Sequence, residues 1–177
     1  MNILFRQENK DDYAAVFNLI QRAFEKEEMS DHSEQYLVER LRNSEAFIPE
    51  LSIVAEINQN IAGHILLTRI KVINNKNEEF DSLALAPVSV LPKYQGKGIG
   101  GKLIETAHKK AKELSFDSVI LLGHENYYPR FGYEIAKKYG IKLPFEVPDE
   151  NCMAIELIKG AFEGIEGTVV YPKAFFE

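Results

Sequence analysis

The sequence predicts an α+β fold built on a mixed, mostly antiparallel sheet. Three segments with the composition of strands follow one another, separated only by short polar turns: 51–57, 61–73 and 79–91. This spacing is typical of an antiparallel meander. After the third of these strands come a glycine-rich turn, a helical pattern and the short apolar run 118–122. Such a connection leads to a strand parallel to the one it left, with a right-handed crossover.

Elements on either side of this core complete the predicted fold. Asn9 and Ser33 are residue types that cap helix N-termini, and each precedes a pattern of apolar residues at helical spacing. The further predicted elements are a strand at 2–6, helices at 9–24, 33–42 and 102–114, and strands at 153–158 and 167–171.

Length and composition limit the class of protein. A chain of 177 residues, of which 45% are hydrophobic, has material for one core, so we expect a single domain over 1–177. The net charge of −6 argues against sequence-independent binding of nucleic acid, which needs a basic face. No apolar run approaches the ~18 residues of a membrane span. Cys152 is the single cysteine, which indicates a reducing compartment. We therefore expect a soluble, cytoplasmic protein that holds no metal and binds no membrane.

The stretch from Gln95 to Lys102 is the part of the sequence that points to a ligand. It lies between a strand and a helix and contains four glycines: Gly96, Gly98, Gly100 and Gly101. In such a turn, closely spaced main-chain N–H groups and the N-terminus of the helix point into one small volume. The sequence therefore predicts an anion-binding site, and the anion most often held in this way is a phosphate.

The residues of this turn match two nucleotide-binding motifs, but the sequence around the turn fits neither of them. Gly96, Gly98 and Gly101 satisfy G-x-G-x-x-G, and Asp117 lies near the spacing of the acid in a dinucleotide fingerprint. That acid should end the second strand, however, whereas Asp117 precedes it, and too few residues follow for a doubly wound fold. The same stretch satisfies the P-loop pattern, but Leu103 stands where a Ser or Thr should ligate magnesium. A turn shaped only by packing is the remaining alternative.

A third match extends beyond the turn. The pattern Gln95-x-x-Gly98-x-Gly100, after a strand that ends Val90-Leu91-Pro92, resembles the acetyl-CoA motif of the GNAT superfamily of N-acetyltransferases. The order of elements resembles that superfamily along the whole chain. Two later segments resemble a bacterial subgroup of uncharacterised, predicted acetyltransferases: 122–133, which reads LGHENYYPRFGY, and 160–175.

The resemblance implies a fold, a reaction and a site. It implies a GNAT fold with helices on both faces of the sheet, and with the fourth and fifth strands splayed apart near Pro87. It implies transfer of the acetyl group of acetyl-CoA to a primary amine by direct attack in a ternary complex. The cofactor-binding residues it implies are Val88, Ser89, Val90, Gln95, Gly96, Lys97, Gly98, Ile99, Gly100, Gly101 and Lys102.

Within that site the resemblance implies distinct roles. The amides of the glycine turn hold the pyrophosphate, and Lys97 or Lys102 adds positive charge. The pantetheine arm lies along the main chain of 88–90, where the Val90 amide is a candidate donor to the thioester carbonyl. Tyr128 matches the tyrosine of Tyr-x-x-x-Gly-Phe/Tyr and is implied to be the general acid. The ordinary pKa of tyrosine, about 10, is near that of a thiol.

The sequence assigns no general base. Asp81 is the one acid on the strand that leads to the glycine turn, and we expect it to be too distant. The other titratable candidates are Glu27, Glu28, His32, His124 and Glu125. His64 lies among apolar residues of a strand, so we expect a structural role. Glu27 and Glu28 belong to the loop between the first two helices, where their charge suits a cationic amine.

Two other functions therefore stay open. The same fold without a base would be a non-catalytic acyl-CoA-binding or sensing module, and the glycine turn also allows a different phosphorylated nucleotide. The sequence leaves the acceptor amine undetermined. A homodimer paired through the C-terminal strands is a further expectation.

Overall fold

Short polar turns connect the central strands, as the sequence predicts, and all strands join one sheet of nine. The computed structural model describes residues 1–177. The three α-helices are α1 (Tyr13–Phe24), α2 (Glu34–Arg42) and α3 (Ile99–Glu113). The strands are β1 (Ile3–Gln7), β2 (Ser52–Ile57), β3 (Asn60–Ile73), β4 (Glu79–Val90), β5 (Ser118–Leu122), β6 (Glu134–Ile135), β7 (Ile141–Lys142), β8 (Cys152–Glu156) and β9 (Gly167–Val170).

The order of the strands confirms the mixed, mostly antiparallel sheet. The main path is β1-β2-β3-β4-β5-β8-β6, and β9 pairs with the distal end of β3. Only β4 with β5 and β7 with β9 run parallel. Because β9 lies between β3 and β7, both of its edges are already paired within the chain. The homodimer that the sequence suggested stays a prediction.

The helices cover both faces of the sheet, also as predicted. Along β2 the side chains alternate, so that Ile53 and Ala55 face α3 while Val54 faces α1 and α2. Leu103 and Ile104 of α3 are fully buried on the first face. Burying each such side chain contributes roughly 1.5–3 kcal/mol. The sheet is therefore the middle layer of a three-layer domain.

A bulge in β4 marks the point where β4 and β5 separate. The two strands pair only at Leu83 with Val119 and at Ala84 with Ile120. On the other side of β4, Ile65 faces Val88 while Leu67 faces Leu85, so one extra residue is accommodated at 86–87. Proline cannot donate a ladder hydrogen bond, which suits Pro87 to a bulge. The structure confirms the predicted splay and leaves a gap between the ends of the two strands.

Helix α3 begins three residues earlier than the sequence pattern suggests. The apolar stripe indicated a start at Lys102, whereas the helix begins at Ile99 with Gly98 as its N-cap. Gly100 and Gly101 thus belong to the first helical turn. Glycine disfavours helix, so the pattern hid this turn; the packing described below explains why glycines are required there.

A buried polar network joins the first three strands to α2. The Ser52 hydroxyl donates to Glu8 at 2.6 Å and lies 3.0 Å from Nε2 of His64, while Arg42 Nε donates to Glu8 at 3.2 Å. Burial, and then the charge of Arg42, lowers the pKa of His64 to about 3. His64 is therefore neutral at physiological pH, and the structural role expected for it is confirmed.

Candidate active site

The end of β4 presents an open main-chain edge to the gap. The Leu91 N–H donates to the Ala62 carbonyl of β3. Hydrogen bonding alternates along an antiparallel strand, so the main chain of Ser89 also faces β3, while Val88 and Val90 face the gap. Gln95 Nε2 donates to the Val90 carbonyl at 3.0 Å, as expected for a group on the open side.

Ser89 therefore differs from the expectation for it. Its N–H and carbonyl are turned to His64 on β3, so it does not offer the main-chain contact that was predicted. Its side chain is buried, and its hydroxyl has no hydrogen-bond partner. The reason is the two-residue period of a strand, which lets only every second residue face the gap.

The four glycines serve two different physical needs. Gly96 and Gly98 have φ of +74° and +80°, and a Cβ on either would meet no atom within 4 Å. They are needed for their backbone conformation, which L-residues rarely adopt. A Cβ on Gly100 would lie 2.9 Å from the Tyr127 hydroxyl, and one on Gly101 would lie 3.1 Å from the Phe131 ring. Those two are needed for close packing.

The first turn of α3 offers free amides. Gly98 caps the helix without a side-chain hydrogen bond, so the N–H groups of Ile99, Gly100 and Gly101 have no intrahelical partner. The Lys102 N–H, in contrast, donates to the Gly98 carbonyl at 3.1 Å and is not free. The Ile99 side chain is buried in the core, so this residue can contribute only its amide. These amides, with the positive end of the helix dipole, suit a phosphate.

The two predicted lysines lie beside this turn in different surroundings. Lys97 Nζ lies 5.6 Å from the centroid of the Tyr94 ring and forms no ion pair within 4.0 Å. Lys102 Nζ donates to Glu105 at 3.0 Å, and both side chains are exposed. The Glu105 carboxylate offsets part of the Lys102 charge, so Lys97 is the less neutralised cation.

Tyr128 lies in the turn after β5, and its ring belongs to the core on the α3 face of the sheet. Its ring packs against Gly123, which has no room for a Cβ beside it. Burial, and then the neighbouring Tyr127, raises the pKa of Tyr128. The hydroxyl is therefore protonated at neutral pH, which a general acid requires. The same shift makes full proton transfer more costly than the ordinary pKa of tyrosine suggests.

Tyr127 lies beside the candidate site, a placement that the sequence did not reveal. Its ring packs edge-on against Tyr128 and Phe131. Its hydroxyl, however, reaches the first turn of α3 beside Gly100. Nothing in the spacing of the motif signals this contact, because it joins two segments that only the fold brings together.

The structure brings two of the candidate bases together. Nε2 of His124, directly after β5, lies 3.4 Å from Oε1 of Glu27 in the α1–α2 loop. His32 is instead turned to the Phe24 carbonyl, with its Nδ1 at 3.0 Å. Asp81 forms an ion pair with Lys71 at 2.7 Å at the distal end of β4, which agrees with its expected distance from the site.

Cys152 is closer to the gap than its place in the sequence suggests. It lies on β8 opposite Leu122, the last residue of β5. Burial, and then Asp149, raises the pKa of its thiol to about 11. A protonated, buried thiol is a poor nucleophile. No group of three or more His, Cys, Asp or Glu side chains is arranged for a metal ion, and no helix has the length and hydropathy to cross a membrane.

Comparisons with known proteins agree with this geometry. A family model described as an acetyltransferase (GNAT) domain matches residues 5–136. YjhQ of Escherichia coli K12, an uncharacterised N-acetyltransferase, is 34% identical over 148 residues, which cover 83% of this chain and 78% of YjhQ. YhbS of the same strain, also an uncharacterised N-acetyltransferase, is 24% identical over 98% of both chains.

Solved structures show the same architecture. The E. coli YhbS structure, in complex with CoA, has a TM-score of 0.89 at 25% identity and covers 100% of this chain and 93% of its own. A GNAT family acetyltransferase from Brucella melitensis, in complex with acetyl-CoA, has a TM-score of 0.80 at 29% identity and covers 98% of each chain. The chain therefore belongs to the GNAT family of acetyltransferases.

Proposed function

We propose that this chain transfers the acetyl group of acetyl-CoA to a primary amine, by direct attack within a ternary complex. One observation carries the proposal: the open edge of β4 leads directly into the free amides of α3. Main-chain groups at Val88 and Val90 face the gap, and the N–H groups of Ile99 to Gly101 stand at the end of it. A ligand with an amide-bearing arm and a pyrophosphate matches this arrangement, and the CoA and acetyl-CoA complexes of the two similar structures support it.

The residues divide the binding of the cofactor between them. The pyrophosphate takes the α3 amides and the turn of Gly96 and Gly98, with Lys97 as the nearby cation. The pantetheine arm pairs with the open edge of β4 like a short extra strand. The Val90 amide is the proposed donor to the thioester carbonyl, and the Val88 amide is the next donor along the same edge. One such donor can contribute about 3–4 kcal/mol to the transition state of acyl transfer.

Tyr128 is the proposed general acid. The amine nitrogen attacks the carbonyl carbon, the C–S bond breaks, and the hydroxyl of Tyr128 donates its proton to the departing sulfur. General acid catalysis contributes typically 10²–10⁴-fold. Its ring packs against Gly123, directly after β5, the strand that separates from β4 at the gap.

The acceptor is proposed to be a cationic amine. The α1–α2 loop, which meets the end of β5 through Glu27, carries three further acids: Glu25, Glu28 and Asp31. Their charge favours an ammonium group over a neutral or acidic acceptor. We further propose that the protein acts in the cytoplasm, in keeping with its single cysteine, Cys152, and that it binds neither nucleic acid nor membranes. A homodimer paired through the C-terminal strands stays a prediction.

A screen of amines with acetyl-CoA tests the proposal, with release of free CoA thiol as the readout. The panel contains polyamines, amino acids, aminoglycosides and peptides with a free N-terminus or lysine. Thiol release that depends on an added amine supports the enzyme. Binding of acetyl-CoA without release across the panel would favour the non-catalytic acyl-CoA module.

A thermal-shift assay distinguishes the enzyme and the non-catalytic acyl-CoA module from a protein that binds another nucleotide. A ligand at a hundred times its Kd adds about 2.7 kcal/mol to the free energy of unfolding. We expect acetyl-CoA to raise Tm, and ATP and NAD to leave it unchanged. Stabilisation by ATP or NAD but not by acetyl-CoA would refute the proposed function.

A further inference from the structure

His124 lies two residues beyond the end of β5, where that strand has separated from β4. The last paired residues of the two parallel strands are Ala84 and Ile120. Val88 comes four residues after Ala84, and His124 comes four residues after Ile120. When the extra residue at the β4 bulge is counted, Ser89 is as far along β4 from this last pair as His124 is along the chain after Ile120. His124 therefore belongs to the end of β5 that borders the gap.

The direction of the imidazole is restrained from the opposite side. Its Nε2 lies 3.4 Å from Oε1 of Glu27, a residue of the α1–α2 loop that reaches across the end of β5. With Nε2 turned to a carboxylate, the favoured tautomer carries its proton there, and this leaves the Nδ1 lone pair free. An exposed ion pair contributes little to stability. We therefore assign to Glu27 an effect on the orientation of the ring and not on the stability of the fold.

Contacts with two neighbouring tyrosines hold the main chain around His124. The Tyr127 N–H donates to the His124 carbonyl at 3.2 Å, which closes a tight turn. Gly123, directly before His124, packs against the Tyr128 ring. The imidazole and the proposed acid are thus held on one short segment, four residues apart.

We propose that His124 is the general base of the reaction and that Glu27 is its positioning residue. The assignment rests on the proposed function and supplies the group that the sequence could not identify. Nδ1 of His124 takes a proton from the bound ammonium group, and the nitrogen lone pair so freed attacks the carbonyl carbon. The C–S bond breaks with its electron pair on sulfur, and Tyr128 gives that sulfur a proton. The new amide nitrogen then loses its second proton through solvent to Tyr128, and His124 releases its proton to solvent, so both side chains end as they began.

Histidine is chemically suited to this role. An imidazole can accept a proton and release it again, and histidine is the side chain most often used as a general base. Glu27 lies at ion-pair distance from His124, and Lys26, Glu28 and Glu125 neighbour the pair in the same two loops.

NMR of histidine labelled at Cε1 tests the location without needing the acceptor. The chain has four histidines, and the His124 resonance is assigned with the His124→Ala variant. We expect this resonance to shift with acetyl-CoA and to take a different position with CoA, because the acetyl group is the only difference between the two ligands. Binding of both ligands with the same His124 resonance would overturn the assignment. Absence of acetyl-CoA binding would instead refute the proposed function.

Kinetics with the best amine of the screen tests the chemistry. We expect His124→Ala to lower kcat by roughly 10²-fold, without a change in Tm since the side chain is exposed. Added imidazole should restore part of the lost rate, which replacement of a merely structural side chain would not allow. Glu125→Ala, at the adjacent exposed position, is the matched control and should keep kcat within about twofold. Unchanged kcat in His124→Ala, or a loss that imidazole does not relieve, contradicts the proposal.

The positioning role of Glu27 is tested by asking whether the effect of its substitution on kcat depends on His124. We expect Glu27→Gln to lower kcat by about tenfold in the wild-type background, and to have no further effect in His124→Ala, since residues that act as a unit are not additive. Glu28→Gln is the matched control, because it removes a neighbouring charge without the contact and should alter KM alone. An equal effect of Glu27→Gln in both backgrounds would show that the carboxylate acts independently of the imidazole.

Discussion

The Tyr127 hydroxyl lies against the first turn of α3 at Gly100, so closely that a Cβ on Gly100 would stand 2.9 Å from its oxygen. This contact joins the aromatic turn after β5 to the amides that we assign to the pyrophosphate. The two residues are separated by a helix and a strand in the sequence. Because they are in contact, we expect a substitution at either residue to change the binding of the cofactor.

Replacing Gly100 by alanine should weaken the binding of acetyl-CoA. The added methyl group displaces the Tyr127 hydroxyl and shifts the first helical turn, so we expect Kd to rise about tenfold, or about 1.4 kcal/mol. Isothermal titration with acetyl-CoA measures this. In a Tyr127→Phe background the clashing oxygen is gone, and the same substitution should cost less. Equal costs in the two backgrounds would show that the contact has no bearing on binding.

Tyr128→Phe should lower kcat by roughly 10²-fold, because it removes the proton donor for the departing thiolate. The phenyl ring is retained, so its packing against Gly123 and Tyr133 persists and Tm should change little. Steady-state thiol release measures kcat, and circular dichroism measures Tm. Tyr127→Phe serves as the matched control, since it should raise KM for acetyl-CoA more than it lowers kcat. Unchanged turnover in Tyr128→Phe would remove this residue from the mechanism.

The stability of the fold should fall as the pH drops below about 6.5, in part because of His64. Burial lowers the pKa of this fully buried imidazole to about 3. Between that value and the ordinary pKa of 6.5, the unfolded chain binds a proton and the folded chain does not. Stability is therefore complete above pH 6.5 and is lost towards pH 3, by about 1.4 kcal/mol per pH unit where the difference is one proton.

Urea unfolding between pH 7.5 and 4.5 measures this slope. His108 contributes with the same sign, because burial and then Lys112 lower its pKa to about 4. Asp12, whose pKa is lowered by its hydrogen bond with Arg6, acts only at lower pH. We expect His64→Gln to reduce the slope of the free energy of unfolding against pH by about 1.4 kcal/mol per pH unit, the contribution of one proton. If His64→Gln and the unaltered protein have the same slope, then His64 binds its proton in the folded state as it does in the unfolded state.

The buried ion pair of Arg42 and Glu8 should be far more sensitive to mutation than an exposed one. Both side chains are almost fully buried, with 6% and 1% exposed. Arg42→Met would leave the Glu8 charge without its partner, which costs about 3–5 kcal/mol. Lys138→Met, at the exposed pair with Glu134, is the matched control and should cost less than about 1 kcal/mol. Denaturant unfolding measures both, and comparable losses would contradict a buried network.

Much of the fold was predictable because its signals are local. Polar turns at 58–60 and 74–77 set the meander, and Pro87 marked the bulge where β4 and β5 separate. The start of α3 was missed because Gly100 and Gly101 have poor helix propensity, and packing against Tyr127 and Phe131 overrides that preference.

The site was predictable only in part, for the same reason. The glycine turn and Tyr128 belong to short motifs, so the resemblance to the superfamily was enough to predict them. The role of Ser89 was wrong in detail, because strand register, which depends on the partner strand, decides which residue faces the gap. Cys152 is distant from the glycine turn in the sequence, whereas β8 brings it opposite the end of β5.

By itself the sequence determined the fold class, the glycine turn and the family, since these depend on local propensity and on residues at fixed offsets. Only the tertiary structure decided which main-chain groups are free, and only it brought Glu27 to His124 and Tyr127 to Gly100. Those pairs join segments far apart in the chain. Their distances follow from the packing of α1 and α3 on opposite faces of one sheet, which no local pattern specifies.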